Sequence, residues 1–188
     1  MTPFTQSLAR DVRSGSRRST LIGVVGFAAA VAAASQIAIP LPGTPVPFTL
    51  QPMLVVLAGM WLGPVAGGAS MLLYLVAGAA GLPVFTPLGA PGLARFVGPT
   101  GGYLLAYPAA AFIAGAAMRR ARTLPMRWLA AAAGMAVIYV GGIAQLSLMS
   151  GSVSRAIALG VTPFAALDVI KAFIAAAVSD PRLTRFRA

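Results

Sequence analysis

The chain has no cysteine, no histidine, three acidic residues and a single lysine among its 188 residues. Without thiols there is no disulfide framework and no thiolate nucleophile, and without imidazoles the usual zinc and haem ligands are gone. The acids, Asp11, Asp168 and Asp180, are too few and too scattered for a carboxylate metal cage or a general acid/base pair. The lysine stands in Ile170-Lys171-Ala172 and is not followed by Ser or Thr, so no phosphate-cradling loop exists. The chain is therefore expected to hydrolyse no ATP of its own. Charged residues make up 9% of the chain, whereas soluble domains carry roughly 25%. That deficit excludes a water-soluble globule, and with it a soluble enzyme.

What is present is apolar: 59% of residues are hydrophobic and the mean hydropathy is +0.87. A bilayer-crossing helix takes about 20 residues, which leaves room for six or seven spans and no second domain. We read an all-α integral membrane protein with six transmembrane helices, at about 20–39, 49–62, 65–80, 101–118, 127–148 and 162–179. The six-helix domain (20–180) is flanked by a basic N-terminal segment (1–19) and a basic tail (181–188). The basic head and the run ending Ala32-Ala33-Ala34 also have the form of a secretory signal, whose removal would still leave a membrane-embedded chain.

Eleven of the 14 basic residues fall in three blocks on one side of this layout: Arg10, Arg13, Arg17 and Arg18; Arg119, Arg120, Arg122 and Arg127; Arg182, Arg185 and Arg187. Lys and Arg in short loops stay cytoplasmic, so both termini are predicted inside and the Pro/Gly-rich loops 40–52 and 81–100 outside. The net charge of +11 then signals topology, and no nucleic-acid partner is expected. Trp61 and Trp128 fall at predicted cytoplasmic interfaces, where indole is favoured.

Glycines at 59, 63 and 67, and again at 98 and 102, recur every four positions, a spacing that lets helices approach closely. The alanine-rich stretch 27–34 has two readings, internal packing or a smooth exterior on which another protein docks. The sharpest feature is Asp168 with Lys171, which share one helix face at i and i+3. Charges at membrane depth cost about 2.5–3.5 kcal/mol each on insertion scales, so they normally face a cavity or a partner. The alternative is an ion pair that only neutralises itself. Proline-broken segments often line solute sites, because unwound backbone offers hydrogen bonds. Arg95, within the second of the two outer loops, suits a carboxylate or serves as an interface anchor.

The segments Ile39-Pro-Leu-Pro-Gly-Thr-Pro-Val-Pro-Phe-Thr-Leu-Gln51, Gly59-Met-Trp-Leu-Gly-Pro64, Tyr74-Leu-Val-Ala-Gly-Ala-Ala-Gly-Leu-Pro-Val-Phe85 and Gly98-Pro-Thr-Gly-Gly-Tyr103 resemble the BioY family. These are substrate-capture (S) components of biotin transporters of the energy-coupling factor (ECF) class, and the resemblance spans about 20–180. It implies a six-helix protein of the bacterial inner membrane that binds biotin from outside with high affinity and needs no cofactor. It also implies partners that hydrolyse ATP on its behalf, a transmembrane coupling protein with ABC-type ATPases. By the same resemblance Asp168 and Lys171 match the ligand-binding Asp-x-x-Lys, Arg95 matches the loop arginine, and Thr49, Phe85 and Tyr103 line the pocket. Ala28 and Ala32 take the positions of the partner-docking alanines. A loop asparagine of some members is missing, since Thr86-Pro87 follows Phe85. The competing function is a self-sufficient carrier of a small carboxylate driven by an ion gradient. An intramembrane enzyme is disfavoured, because no catalytic constellation exists.

Overall fold

Proline and glycine set the breaks in an otherwise helical chain. The computed structural model describes residues 3–180, with side chains from Arg17 onward. Its helices are α1 (Pro3–Gln36), α2 (Gln51–Leu62), α3 (Pro64–Ala79), α4 (Gly101–Met118), α5 (Leu124–Ser150), α6 (Val153–Gly160) and α7 (Ala165–Val178), with a 3-10 helix at Gly92–Val97. The expected tail with Arg182, Arg185 and Arg187 lies outside the described residues, as do the side chains of Arg10 and Arg13.

Gly63 separates α2 from α3 with φ 85° and ψ 173°, a conformation open to glycine. Pro64 then opens α3, where its missing N–H costs nothing. Thr162-Pro163 lies in the break between α6 and α7, since a residue before proline is pushed out of the helical region. The connector after α1 is closed by one antiparallel bridge: Ile39 and Phe48 exchange two backbone hydrogen bonds of 2.9 Å.

Three elements differ from the sequence reading. The first helix begins at Pro3, not near residue 20, and ends at Gln36; after Pro3 the basic stretch has no proline, and its one glycine, Gly15, weakens a helix without stopping it. The Ser/Gly segment after α5 holds a helix, α6, whose Ser152 caps it by accepting from the Arg155 N–H at 3.3 Å. Eight residues are too few for periodicity to announce such a helix. The last span is bent, with α6 and α7 meeting at 58°.

Three helical segments are long and apolar enough to cross a membrane, Arg17–Gln36, Gly101–Met118 and Leu124–Ser150, and the bent α6–α7 pair makes a fourth if counted as one span. Helices α2 and α3, of 12 and 16 residues, reach only about 18 and 24 Å at ~1.5 Å per residue.

Small residues carry the close crossings. A Cβ on Gly59 would stand 1.8 Å from the Ala111 carbonyl oxygen, and one on Gly67 would stand 2.6 Å from the Gly59 Cα. Helices α2, α3 and α4 thus touch backbone to backbone, so Gly59 and Gly67 of the 59/63/67 repeat are internal packing, while Gly63, where a Cβ would meet nothing within 4 Å, serves the break. Gly102 and Gly141 do the same for α4 and α5, each blocked by the other's carbonyl at 2.1 and 2.4 Å.

Candidate ligand site

The break before α7 decides what Asp168 can do. It sets Asp168 in the first turn of α7, where the positive end of the helix dipole favours a carboxylate. Lys171, one turn on, donates to Asp168 Oδ1 at 2.6 Å and to the Thr49 carbonyl at 2.9 Å. Its ammonium also stands 4.0 Å from the centroid of the Phe48 ring, a cation–π arrangement. From α5, the Tyr139 hydroxyl donates to Asp168 Oδ2 at 2.5 Å. Both carboxylate oxygens thus have a donor. Asp168 is 7% exposed and Lys171 5%, so the pair is buried as well as neutralised.

A buried pair is a poor source of stability in itself, because desolvation offsets most of its attraction. Well-packed hydrophobic residues often serve stability equally well, so stability alone does not account for the pair. Beside the pair lies a cavity of about 40 Å³, lined among others by Pro47, Thr49, Tyr103, Tyr139 and Phe164. The Tyr103 hydroxyl donates to the Gly160 carbonyl at 2.9 Å, which ties α4 to the α6–α7 bend. Its ring lies where a Cβ on Gly142 would stand 2.1 Å away.

Asp168, Lys171, Thr49 and Tyr103 therefore share one cavity, while Arg95 and Phe85 do not line it. These two belong to a neighbouring cluster beneath the 81–100 loop. Phe85 packs edge-on against Tyr74 and Phe96, at 5.4 and 5.6 Å between centroids. Arg95 is 4% exposed, and its guanidinium donates to the Leu88 carbonyl at 2.5 Å and to the Thr86 carbonyl. Its Nε is buried without a partner. A guanidinium this enclosed organises the loop rather than anchoring at an interface. A polar chain joins the two clusters: the Thr49 hydroxyl donates to Gln51 Oε1 at 3.3 Å, and Gln51 Nε2 donates to the Tyr74 hydroxyl at 2.7 Å.

Four participants escape the sequence reading: Phe48, Gln51, Tyr74 and Tyr139. Three of them sit inside the very motifs that carry the family resemblance. Tyr139 lies outside those motifs, and a phenol within an apolar span is its only signal.

On α1, Ala28 is 8% exposed and belongs to the core, and Ala32 is half-buried against it. Among its described residues, Gly26, Ala29 and Ala33 are exposed along the apolar part of this helix. The hydrogen bond from Ser70 to the Val24 carbonyl, 2.8 Å, holds α1 against α3 in this orientation.

A multi-pass helical bundle with a buried ion pair at a broken helix, roofed by proline-rich loops, defines a membrane protein built to hold a solute. The chain belongs to the BioY family, whose model matches residues 7–187. It is 40% identical over 136 residues to a probable biotin transporter BioY of Pyrococcus horikoshii, covering 72% of this chain and 80% of that protein. The biotin transporter BioY of Thermotoga maritima is 35% identical over 153 residues, 81% of this chain and 89% of the relative. The protein of the same name from Rhodobacter capsulatus is 37% identical over 163 residues, 84% of each chain. Among solved structures, the S-component for biotin from an ECF-type ABC transporter matches with a TM-score of 0.78 at 25% identity, covering 96% of this chain and 93% of that one.

Proposed function

We propose that this chain is a biotin-capturing subunit of an uptake system in the cell's inner membrane, energised by partner ATPases through a transmembrane coupling protein. The observation that carries this reading is the buried Asp168–Lys171 pair, held by Tyr139 and by the Thr49 carbonyl in a member of the BioY family. The ureido group of biotin offers N–H donors to a carboxylate, and its valerate calls for a cation. Asp168 accepts from a ring N–H, and Lys171 serves either the ring carbonyl or the carboxylate. Thr49 and Tyr103 line the pocket, and Phe85 and Arg95 support it from beneath the 81–100 loop.

Ligand sites are ordinarily some 300–1,000 Å³, so a cavity of about 40 Å³ has to widen around a bicyclic vitamin. The 40–48 connector is the movable wall: it is irregular backbone closed by the Ile39–Phe48 bridge, and one side-chain hydrogen bond, from the Thr44 hydroxyl to the Leu159 carbonyl at 2.6 Å, ties it to α6. Six passages with both termini cytoplasmic fit the arginine blocks, with α2 and α3 as two short passages joined at Gly63. The coupling protein docks on the exposed face of α1, through Ala29 and Ala33, since Ala28 and Ala32 face inward.

Calorimetric titration of the purified protein in detergent tests the capture role. Saturable binding of biotin, with none of pantothenate or riboflavin, is expected without any partner. Folded protein that ignores biotin would remove this reading. Uptake that follows ATP in vesicles carrying the partners, rather than the membrane potential, separates it from an ion-driven carrier.

A further inference from the structure

On the membrane face of the bundle, between the N-terminal end of α5 and the middle of α7, runs a groove of about 520 Å³. It is lined by Leu124, Pro125, Trp128, Val169, Ile170 and Phe173. The one polar side-chain atom among these residues, Trp128 Nε1, is turned to the Val169 carbonyl at 3.4 Å, leaving the walls to carbon. Val169, Ile170 and Phe173 are each more than half exposed. A face of this kind, on a bundle that spans a membrane, meets acyl chains.

What distinguishes this groove is its mouth. Leu124 and Pro125 follow directly on the loop carrying Arg119, Arg120 and Arg122, all exposed. Arg122 lies two residues from Leu124, so their Cα atoms are at most about 7 Å apart. The nearby acid is already engaged: Asp180 pairs with the buried Arg127 at 3.1 Å. Asp168 is committed to Lys171 deeper in the bundle. The loop that leads into the apolar slot thus carries three exposed arginines, and a negative charge joined to an apolar tail would complement both features at once. Basic pockets beside transmembrane helices recognise acidic lipid headgroups in this way, and a guanidinium matches a phosphate bidentately.

We propose that the α5–α7 groove is a binding site for an acidic phospholipid, with an acyl chain along Trp128 and Phe173 and its phosphodiester on Arg120 and Arg122. A zwitterionic lipid carries the same phosphodiester but offsets it with its own ammonium, so only an acidic lipid brings net negative charge to the arginines, and free phosphate would leave the groove unused. The site lies apart from the Asp168 cavity and does not depend on what that cavity binds.

Trp128 is its own reporter. The chain has two tryptophans, so Trp61→Phe leaves only Trp128 to fluoresce. In nanodiscs, chain-brominated phosphatidylglycerol and chain-brominated phosphatidylcholine are titrated as minor components of an unlabelled bilayer. Quenching by the acidic lipid is expected to saturate at an apparent affinity about tenfold or more above that of the neutral one. Arg120→Gln/Arg122→Gln should abolish the difference, while Arg17→Gln/Arg18→Gln, which removes equal charge from α1, should keep it. Val169→Phe, which fills the groove, should reduce it. Equal quenching by the two lipids would overturn the proposal and leave the groove to a neutral chain or a partner helix. A preference that survives loss of Arg120 and Arg122, falls equally in both charge variants, or ignores Val169→Phe would overturn it as well.

Discussion

At the residue scale the proposed site rests on four residues, Asp168, Lys171, Tyr139 and Thr49. Asp168 was legible in the sequence because a charge is conspicuous in an apolar run, and Lys171 because it falls on the same helix face. Tyr139 was not, since a phenol 29 positions away acquires meaning only once α5 lies beside α7. A hydrogen bond to a charged group is worth about 1.5–3 kcal/mol. Tyr139→Phe is accordingly expected to weaken biotin binding about tenfold or more by calorimetry. Asp168→Asn should cost about 100-fold while the protein still folds, and an unchanged affinity would remove Asp168 from the site. Stability should respond differently. Lys171→Met strands a buried carboxylate and should cost about 3–5 kcal/mol. Adding Asp168→Asn to it should recover most of that in thermal unfolding, because both charges are then gone.

At the scale of elements, the crossings of α2, α3 and α4 depend on the absence of side chains. Gly59→Ala places a methyl on the Ala111 carbonyl, and overpacking of this kind costs about 1–3 kcal/mol. The expected result is a lowered melting temperature in detergent; unchanged melting would mean that α2 shifts freely past α4. A second element-scale feature links α1 to the 81–100 loop. The Ser35 hydroxyl donates to the Val84 carbonyl at 2.6 Å, and Gln36 Nε2 donates to the carbonyls of Pro83 and Phe85, each at 3.2 Å. Ser35→Ala with Gln36→Ala should free this segment and speed amide exchange across 84–88, with exchange in α4 unchanged. Neither residue stands out in the sequence, where Ser35-Gln36 reads as the polar end of an apolar span.

At the scale of the whole molecule, topology and docking are open to direct measurement. The chain has no cysteine, so single cysteines introduced at Gly43 and Thr123 report cleanly. An impermeant thiol reagent added to intact cells should label Gly43→Cys and spare Thr123→Cys, and the reverse labelling would invert the proposed orientation. Ala29→Trp/Ala33→Trp should abolish partner-dependent uptake while leaving biotin affinity within about twofold, because these side chains face away from the bundle. Equal loss of uptake in Ala28→Trp is uninformative about docking, since Ala28 is in the core and the change would disturb packing first.

The sequence by itself determined the class of molecule, the prolines and glycines at which its helices break, and the residues that carry the ion pair. Each of these follows from local composition: hydropathy sets the solvent, proline and glycine set the breaks, and a charge among apolar residues stands out wherever the helix goes. Tertiary structure alone decided that Arg95 is folded beneath its loop rather than beside Asp168, and that Tyr139 completes the carboxylate's partners. It alone turned Ala28 and Ala32 inward, leaving Ala29 and Ala33 on the surface. In a stretch that is almost all alanine, no residue differs enough from its neighbour to mark a face. The orientation of α1 came from elsewhere, from contacts such as Ser70 on the Val24 carbonyl that join positions 46 residues apart.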